Sequence, residues 1–277
     1  EVVDELVIDV VANLEPKLNR SVYDSVRTNQ EEPSARELYL QASTLLSVKG
    51  WHADTFEKAE ILLLKSEQLD PSYALTPAYL SLILALGHRV GLITQRETTV
   101  EEVVDAAERA LQLDNLDATV LGFVGCALAD TGKLTRALPL LKNAVKRNRS
   151  NAQAWAALGS ANLFKGNIPA AIECLSHGIK ISPLDSRLAI WGATLAIAYL
   201  ISKEFTLARQ QAEFACECDD QCYIPRIVLA AVELSQSNID VAKDVLSDAY
   251  RIKPDLSVHE IGSIIGKQHA QNIAALI

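Results

Sequence analysis

Apolar and small side chains return along this chain at a fixed interval. Ala137 in TRALPLL lies 34 residues before Ala171 in PAAIECL, and Ala208 in TLARQQA lies 34 before Ala242 in DVAKDVL. Seven residues later runs a second small series, Ala144, Gly178, Ala215 and Ala249; twelve residues before the first runs a third, Gly125, Gly159, Ala196 and Ala230. Twelve residues after the first come Arg149, Pro183, Asp220 and Pro254, where a helix must stop. Four series moving in step make an internal repeat. Two looser copies precede them, one with Ala59, Ser66 and Pro71, the other with Val103, Ala110 and Asn115 and ten extra residues ahead of Val103; the copy holding Ala208 carries three extra.

The pattern predicts two antiparallel helices per unit, joined by a short turn. Small residues are needed where the helices cross, because a larger side chain would force the axes apart. The terminator ends the second helix, since proline cannot continue one. No such unit buries its apolar face alone, so the units stack into a solenoid. The predicted fold is all-α, an α-solenoid of about six helix pairs over residues 36–255. Residues 1–35 are read as an N-terminal helix with an apolar stripe (Val3, Val7, Val10, Leu14), interrupted at Pro16 and followed by the linker NQEEPS. Residues 88–99 are read as a surface loop, with Thr99 and Glu102 as a capping box at the next helix start. Residues 256–277 are read as a C-terminal capping helix and tail, opened by a capping box of Ser257 and Glu260.

Composition agrees with helices: 49% of residues are hydrophobic but only 5% aromatic, which favours helix over sheet. The net charge of −9 argues against nucleic acid, which demands clustered cations. The one basic run, KNAVKRNR from Lys142 to Arg149, falls at a helix C-terminus, where cations suit the helix dipole. Five cysteines, an odd number, read as reduced thiols and point to the cytoplasm. No apolar run is long enough to span a bilayer. The chain opens at Glu1 and reads as part of a longer protein; the periplasm is the alternative if a membrane segment lies upstream.

No catalytic, cofactor-binding or metal-binding residue is predicted. CECDDQC, Cys216 to Cys222, gathers three thiols, but its spacing is not a common zinc pattern, and Asp220 fills the terminator position. It reads as a helix end and loop. None of the five histidines pairs with Cys, Ser or another His at a useful spacing, and His177 is read as a solvated residue near a helix end. Nucleophile-elbow, P-loop and dinucleotide signatures are absent. In PLDSR, Asp185 is read as a helix cap and Arg187 as the partner of a neighbouring carboxylate.

The stretch WAALGSANLFKGNIPAAIECLSHGIKISP resembles the tetratricopeptide repeat, with Trp155, Leu158, Gly159, Ala171, Leu175, Gly178 and Pro183 all at that family's spacing. The flanking order, from ELVIDVVANLEPKLNR through SEQLDPSYALTPAYLSL to ISPLDSRLAIWGATLAIAYL, is similar to the C-terminal repeat region of bacterial signalling proteins. In those proteins the repeats follow an adenylate cyclase domain or a winged-helix regulator domain of the CadC and HilA type.

The resemblance implies a concave surface lined by the first helix of each unit. In the third unit its positions hold Thr119, Gly122, Cys126, Ala129 and Asp130. In the next three units the corresponding set gives a partner-binding groove of Gln153, Ser160, Leu163, Phe164, Ile190, Ile197, Leu200, Ile201, Ile224, Ile227 and Leu234. None of these is Lys, Arg or Asn, so the carboxylate clamp of some family members is not expected. An aliphatic groove suits an apolar or amphipathic helix. So many aliphatics are not left open in a soluble protein. The last helix, with Val258, Ile261, Ile264 and Ile265, and the tail Ile273 to Ile277 are therefore expected to shield part of the groove. The function read from all this is a non-catalytic interaction and regulatory module without a cofactor. Its partner is a protein or peptide segment, the upstream domain of its own chain, or a second copy of itself; a small-molecule sensor using the same groove is the alternative.

Overall fold

A computed structural model of the chain describes residues 33–49, 53–89 and 100–276. The N-terminal helix, most of the linker, positions 90–99 of the loop with its Thr99 cap, and Ile277 of the tail lie outside the described residues.

All regular structure among the described residues is helical, and twelve of the helices form six antiparallel pairs. The pairs are α1 (Ala35–Lys49) with α2 (Ala53–Leu69), α3 (Leu75–Arg89) with α4 (Val100–Leu113), and α5 (Ala118–Asp130) with α6 (Leu134–Arg147). Then follow α7 (Ala152–Phe164) with α8 (Ile168–Ile181), α9 (Leu188–Ile201) with α10 (Phe205–Cys218), and α11 (Tyr223–Ser235) with α12 (Ile239–Ile252). Each first helix also packs on the second helix of the unit before it, so the pairs stack into an α-solenoid. Two short helices, α13 (Val258–Ile265) and α14 (Lys267–Ala274), end the chain.

The repeating small residues lie along the seam of each pair. Ala137, Ala171, Ala208 and Ala242 are wholly buried, as are Ala144, Ala215 and Ala249. A methyl group added at Gly159 would stand 2.6 Å from Leu175 Cγ and 2.9 Å from the Leu175 backbone nitrogen. At Gly125 it would stand 2.6 Å from Leu141 Cγ. No such approach is tolerated by real carbons, so these glycines set how closely the paired helices approach. In the first unit Ser66 takes the place of the small apolar residue. Its buried hydroxyl donates to the Ala35 carbonyl at 2.7 Å and pairs with Thr76 Oγ1 at 2.7 Å, so it costs no lost hydrogen bond.

The turns inside the last four units share one device. The second residue after the first helix adopts positive φ in each: Gly132 (77°), Gly166 (82°), Lys203 (62°) and Ser237 (64°). Its N–H and the next one bond back to the helix end, as in Gly166 to the Leu163 carbonyl and Asn167 to the Asn162 carbonyl, both at 2.9 Å. This is the Schellman closure, which satisfies the last carbonyls. Helix starts are capped by Asp117 (to Thr119 and Val120) and Asn151 (to Ala154). The box at Ser257 and Glu260 is formed. Another, Ser34 with Glu37, opens α1 at the end of the stretch read as linker.

Candidate functional site: the concave face

Neighbouring first helices touch along the inside of the array: α3 with α5, α5 with α7, α9 with α11. The eleven residues read as groove do not all meet. Leu163, Phe164, Ile190, Ile197 and Ile224 come together as walls of one small cavity of about 40 Å³. Leu200 and Ile227 are core residues, 4% and 0% exposed, and offer a partner nothing. Leu234 is half-buried against the same core. Ile201, 49% exposed, projects at the end of α9 and is not a wall of that cavity. Gln153 is buried and accepts a 2.7 Å bond from Arg187 Nη1, while the Ser160 hydroxyl donates to the Ala156 carbonyl at 3.1 Å.

The far wall of the small cavity is the chain's own C-terminus. Ser263 and Ile264 of α13 face it, together with Arg89 at the end of α3. Beside it lies a larger hollow of about 690 Å³, walled by His88, Arg89, Asp130, Leu134, Phe164, His259, Glu260 and Ser263 among others. Arg89 and Phe164 line both. Arg89 Nε stands 3.2 Å from Asp130 Oδ1, and the Asp130 side chain is 3% exposed. Among the described residues neither Arg89 Nε nor Asp130 Oδ2 has a hydrogen-bond partner. Burial raises the Asp130 carboxyl above its usual range, against the pull of Arg89.

Sequence reasoning missed Arg89 because His88 and Arg89 were read as the start of a surface loop. They belong to α3, which runs 15 residues where α5 and α7 run 13. The unbroken apolar pattern LSLILALGHR carried that signal. The PLDSR reading is also corrected. Arg187 pairs with its own Asp185 (2.7 and 2.6 Å) and reaches the neighbouring unit through the amide of Gln153. Asp185 accepts the Arg187 N–H at 2.9 Å and does not cap α9. His177 is not freely solvated: its ring meets Trp155 edge-on at 4.6 Å, and burial lowers its pKa.

All five thiols are free, with Cys126, Cys174 and Cys222 buried. Burial pushes Cys222 up to about 12 and Cys216 to about 11, so neither is a ready thiolate. Among the described residues no three His, Cys, Asp or Glu are placed to hold a metal, and no helix is long and apolar enough to cross a membrane.

Comparison with known proteins bears on the fold. The tetratricopeptide-repeat family model matches residues 128–190. No curated protein matches the sequence. The structure is similar to a chain of the APC/C hetero-tetramer Cut9-Hcn1, with a TM-score of 0.64 at 15% identity over 95% of this chain and 48% of that one. It is similar to a monomeric mutant of IFIT1 crystallised with m7Gppp-AAAA, with a TM-score of 0.70 at 15% identity over 97% of this chain and 64% of that one. A thermophilic tetratricopeptide-repeat protein of Thermus thermophilus gives a TM-score of 0.56 at 19% identity over 71% of this chain and 99% of that one. The chain thus spans about half of the Cut9-Hcn1 chain and under two thirds of IFIT1. At these identities the likeness concerns the fold, and with the family match it shows that this chain holds a tetratricopeptide-repeat region, built as a solenoid of such helix pairs.

Proposed function

We propose that this chain is a non-catalytic interaction and regulatory module of a larger bacterial signalling protein, of the adenylate cyclase or winged-helix regulator type. It binds a protein segment, its own upstream domain or a second copy through the concave face of its last three units. The observation that carries this reading is the meeting of Leu163, Phe164, Ile190, Ile197 and Ile224, drawn from α7, α9 and α11, on one apolar wall. Such a wall favours the apolar stripe of a helix. The test is to titrate a generic amphipathic-helix peptide, with aliphatics at i, i+3 and i+4, into the full chain and map amide protection. Protection gathered on α7, α9 and α11 supports the reading. Protection on the outer helices α10 and α12 instead, or none, ends it. The signalling context rests on the flanking resemblance, and sequencing the region upstream checks it.

A second reading, a small-molecule sensor, draws on the hollow of about 690 Å³, which falls in the size range of ligand sites and carries the charged residues Arg89 and Asp130. A thermal-shift screen identifies it if a compound raises the melting point of the parent chain but not of Arg89→Met.

A further inference from the structure

The C-terminal helices do not sit where a seventh unit would begin. α11 packs on both α9 and α10, the two helices of the unit before it. By contrast α13 and α14 pack on α11, with far less against α12. The chain has turned inward after Lys253 and laid α13 along the concave side, where Ser263 and Ile264 close the cavity walled by α7, α9 and α11.

This placement is held at its ends and loose beneath. Ile261 (0% exposed) and Ile265 (5%) of α13, with Ala270 and Ile273 of α14, are buried. The start of α13 is fastened by the Ser257–Glu260 box, and Lys253 Nζ lies 3.4 Å from Glu260 Oε1. Beside Ser263 the packing is open. This residue borders both the small cavity and the hollow of about 690 Å³, and among the described residues Arg89 Nε and Asp130 Oδ2 on that hollow have no hydrogen-bond partner. The pair seams, by contrast, have no room for a methyl group at Gly159. At eight residues α13 is also far shorter than a helix that persists alone in water, so its helicity depends on the groove. A short element anchored by a few buried aliphatics and bordering two cavities belongs to the low-stability end of a structure.

We infer that α13 and α14 are an exchangeable occupant of the groove, and that the partner is an amphipathic helix that takes their place. That helix carries branched aliphatics at the spacing of Ile261, Ile264 and Ile265 and is longer than α13, so that it also covers the hollow. It is neutral or basic on its outer face, because the chain's net charge of −9 disfavours an acidic approach. The resident helix sets a threshold: the groove is available to a partner only for the fraction of time it is vacated. This inference rests on the groove reading above.

The experiment uses the full chain, the double variant Ser257→Ala/Glu260→Gln, which loosens the start of α13 and leaves the apolar wall of α7, α9 and α11 intact, and Ile264→Asp, which loosens its C-terminal end. The probe is a labelled peptide copying residues 256–276, with a control copy carrying Ile261→Asp, Ile264→Asp and Ile265→Asp. Hydrogen exchange at 258–276 is expected to quicken at least tenfold in both variants while α5 to α10 stay unchanged. The probe should bind the variants at least tenfold more tightly than the parent, and the control copy should not bind. If 258–276 exchange as slowly as α11 in the parent and in both variants, the exchangeable occupant is overturned and the groove reading stands on its own test. If the segment opens and the probe still does not bind, the groove is no helix site and both readings fall.

Discussion

The seam inside each helix pair and the concave face are built from the same helices, yet they obey different rules. On the seam of the last four units one kind of residue returns: Ala137, Ala171, Ala208 and Ala242 share both size and complete burial. On the concave face the period persists but the chemistry drifts. The last position of the first helix holds Asp130, Phe164, Ile201 and Ser235 in successive units. Asp130 is a buried ion-pair partner, Phe164 walls two cavities at 44% exposure, and Ile201 projects at 49%. The seam is under one geometric demand, the spacing of two helices, so the last four units answer it alike. The concave face meets something different at each unit, including the chain's own C-terminus.

The largest effect is expected where the concave face breaks the seam's apolar rule. Arg89→Met leaves Asp130 as a buried carboxylate without its cation, which costs about 3–5 kcal/mol near neutral pH. The loss depends on pH. Burial already raises the Asp130 carboxyl in the folded state, so its contribution is fully present below the unfolded pKa and is lost as pH rises through the raised folded value. Removing Arg89, which pulls the value down, raises it further. Urea unfolding should therefore show a deficit near pH 7 that shrinks toward pH 4. An equal deficit at both would mean that the pair is not buried together.

Ala171→Leu tests the seam itself. The added carbons have no room where α7 and α8 cross, at a cost of roughly 1–3 kcal/mol. Lys142→Gln, on the exposed side of α6, should stay within about 0.5 kcal/mol of the parent. Equal melting points for the two variants would show that the repeat register is misplaced.

The seam was legible in the sequence because it repeats. Three aligned series of small residues and a fourth of terminators fix the packing, and Gly159 and Gly125 stand where that packing needs them. The concave site was half legible. Counting from the start of each unit found Leu163, Phe164, Ile190, Ile197 and Ile224, since the period fixes which positions face inward. It also returned Leu200 and Ile227, because the period gives direction but not depth. Arg89 escaped since it stands on the last turn of α3, which runs two residues longer than α5 and α7. The excess of aliphatics on the concave face already points to the last helix as its cover, and Ser263 and Ile264 of α13 border the small cavity.

A smaller effect should separate the glycine turns from the others. Gly132 and Gly166 take positive φ without strain, whereas Lys203 and Ser237 are held there by the same closure. An L side chain in that region costs about 1–2 kcal/mol, and glycine costs about 0.5–1 kcal/mol in unfolded-state entropy. Lys203→Gly and Ser237→Gly should each gain about 0.5–1 kcal/mol, and Gly166→Ala should lose a similar amount despite having no atom within 4 Å of the added carbon. Melting temperatures that move the other way would show that the turns are set by side-chain contacts and not by φ.

The smallest effect on stability, and the most telling for function, is expected at Phe164. Its ring ends α7 and borders both concave cavities, but it is 44% exposed and lies outside the seam. Phe164→Ala should shift unfolding by no more than about 0.5 kcal/mol, as surface substitutions do. Aromatic side chains at the centre of an interface commonly contribute more than about 1 kcal/mol, close to a tenfold change in affinity. In the Ser257→Ala/Glu260→Gln background, Phe164→Ala should therefore weaken binding of the 256–276 peptide about tenfold. Leu207→Ala provides the contrast: Leu207 is similarly exposed, at 40%, but belongs to the second helix α10, away from the cavities. It should leave the affinity unchanged. If both substitutions weaken binding alike, the peptide is held by general apolar contact and not by the concave face. If neither does, Phe164 is a bystander and the contact lies elsewhere on the array. A loss confined to Phe164, with both variants melting as the parent does, would separate the face that recognises from the seam that merely holds the array together.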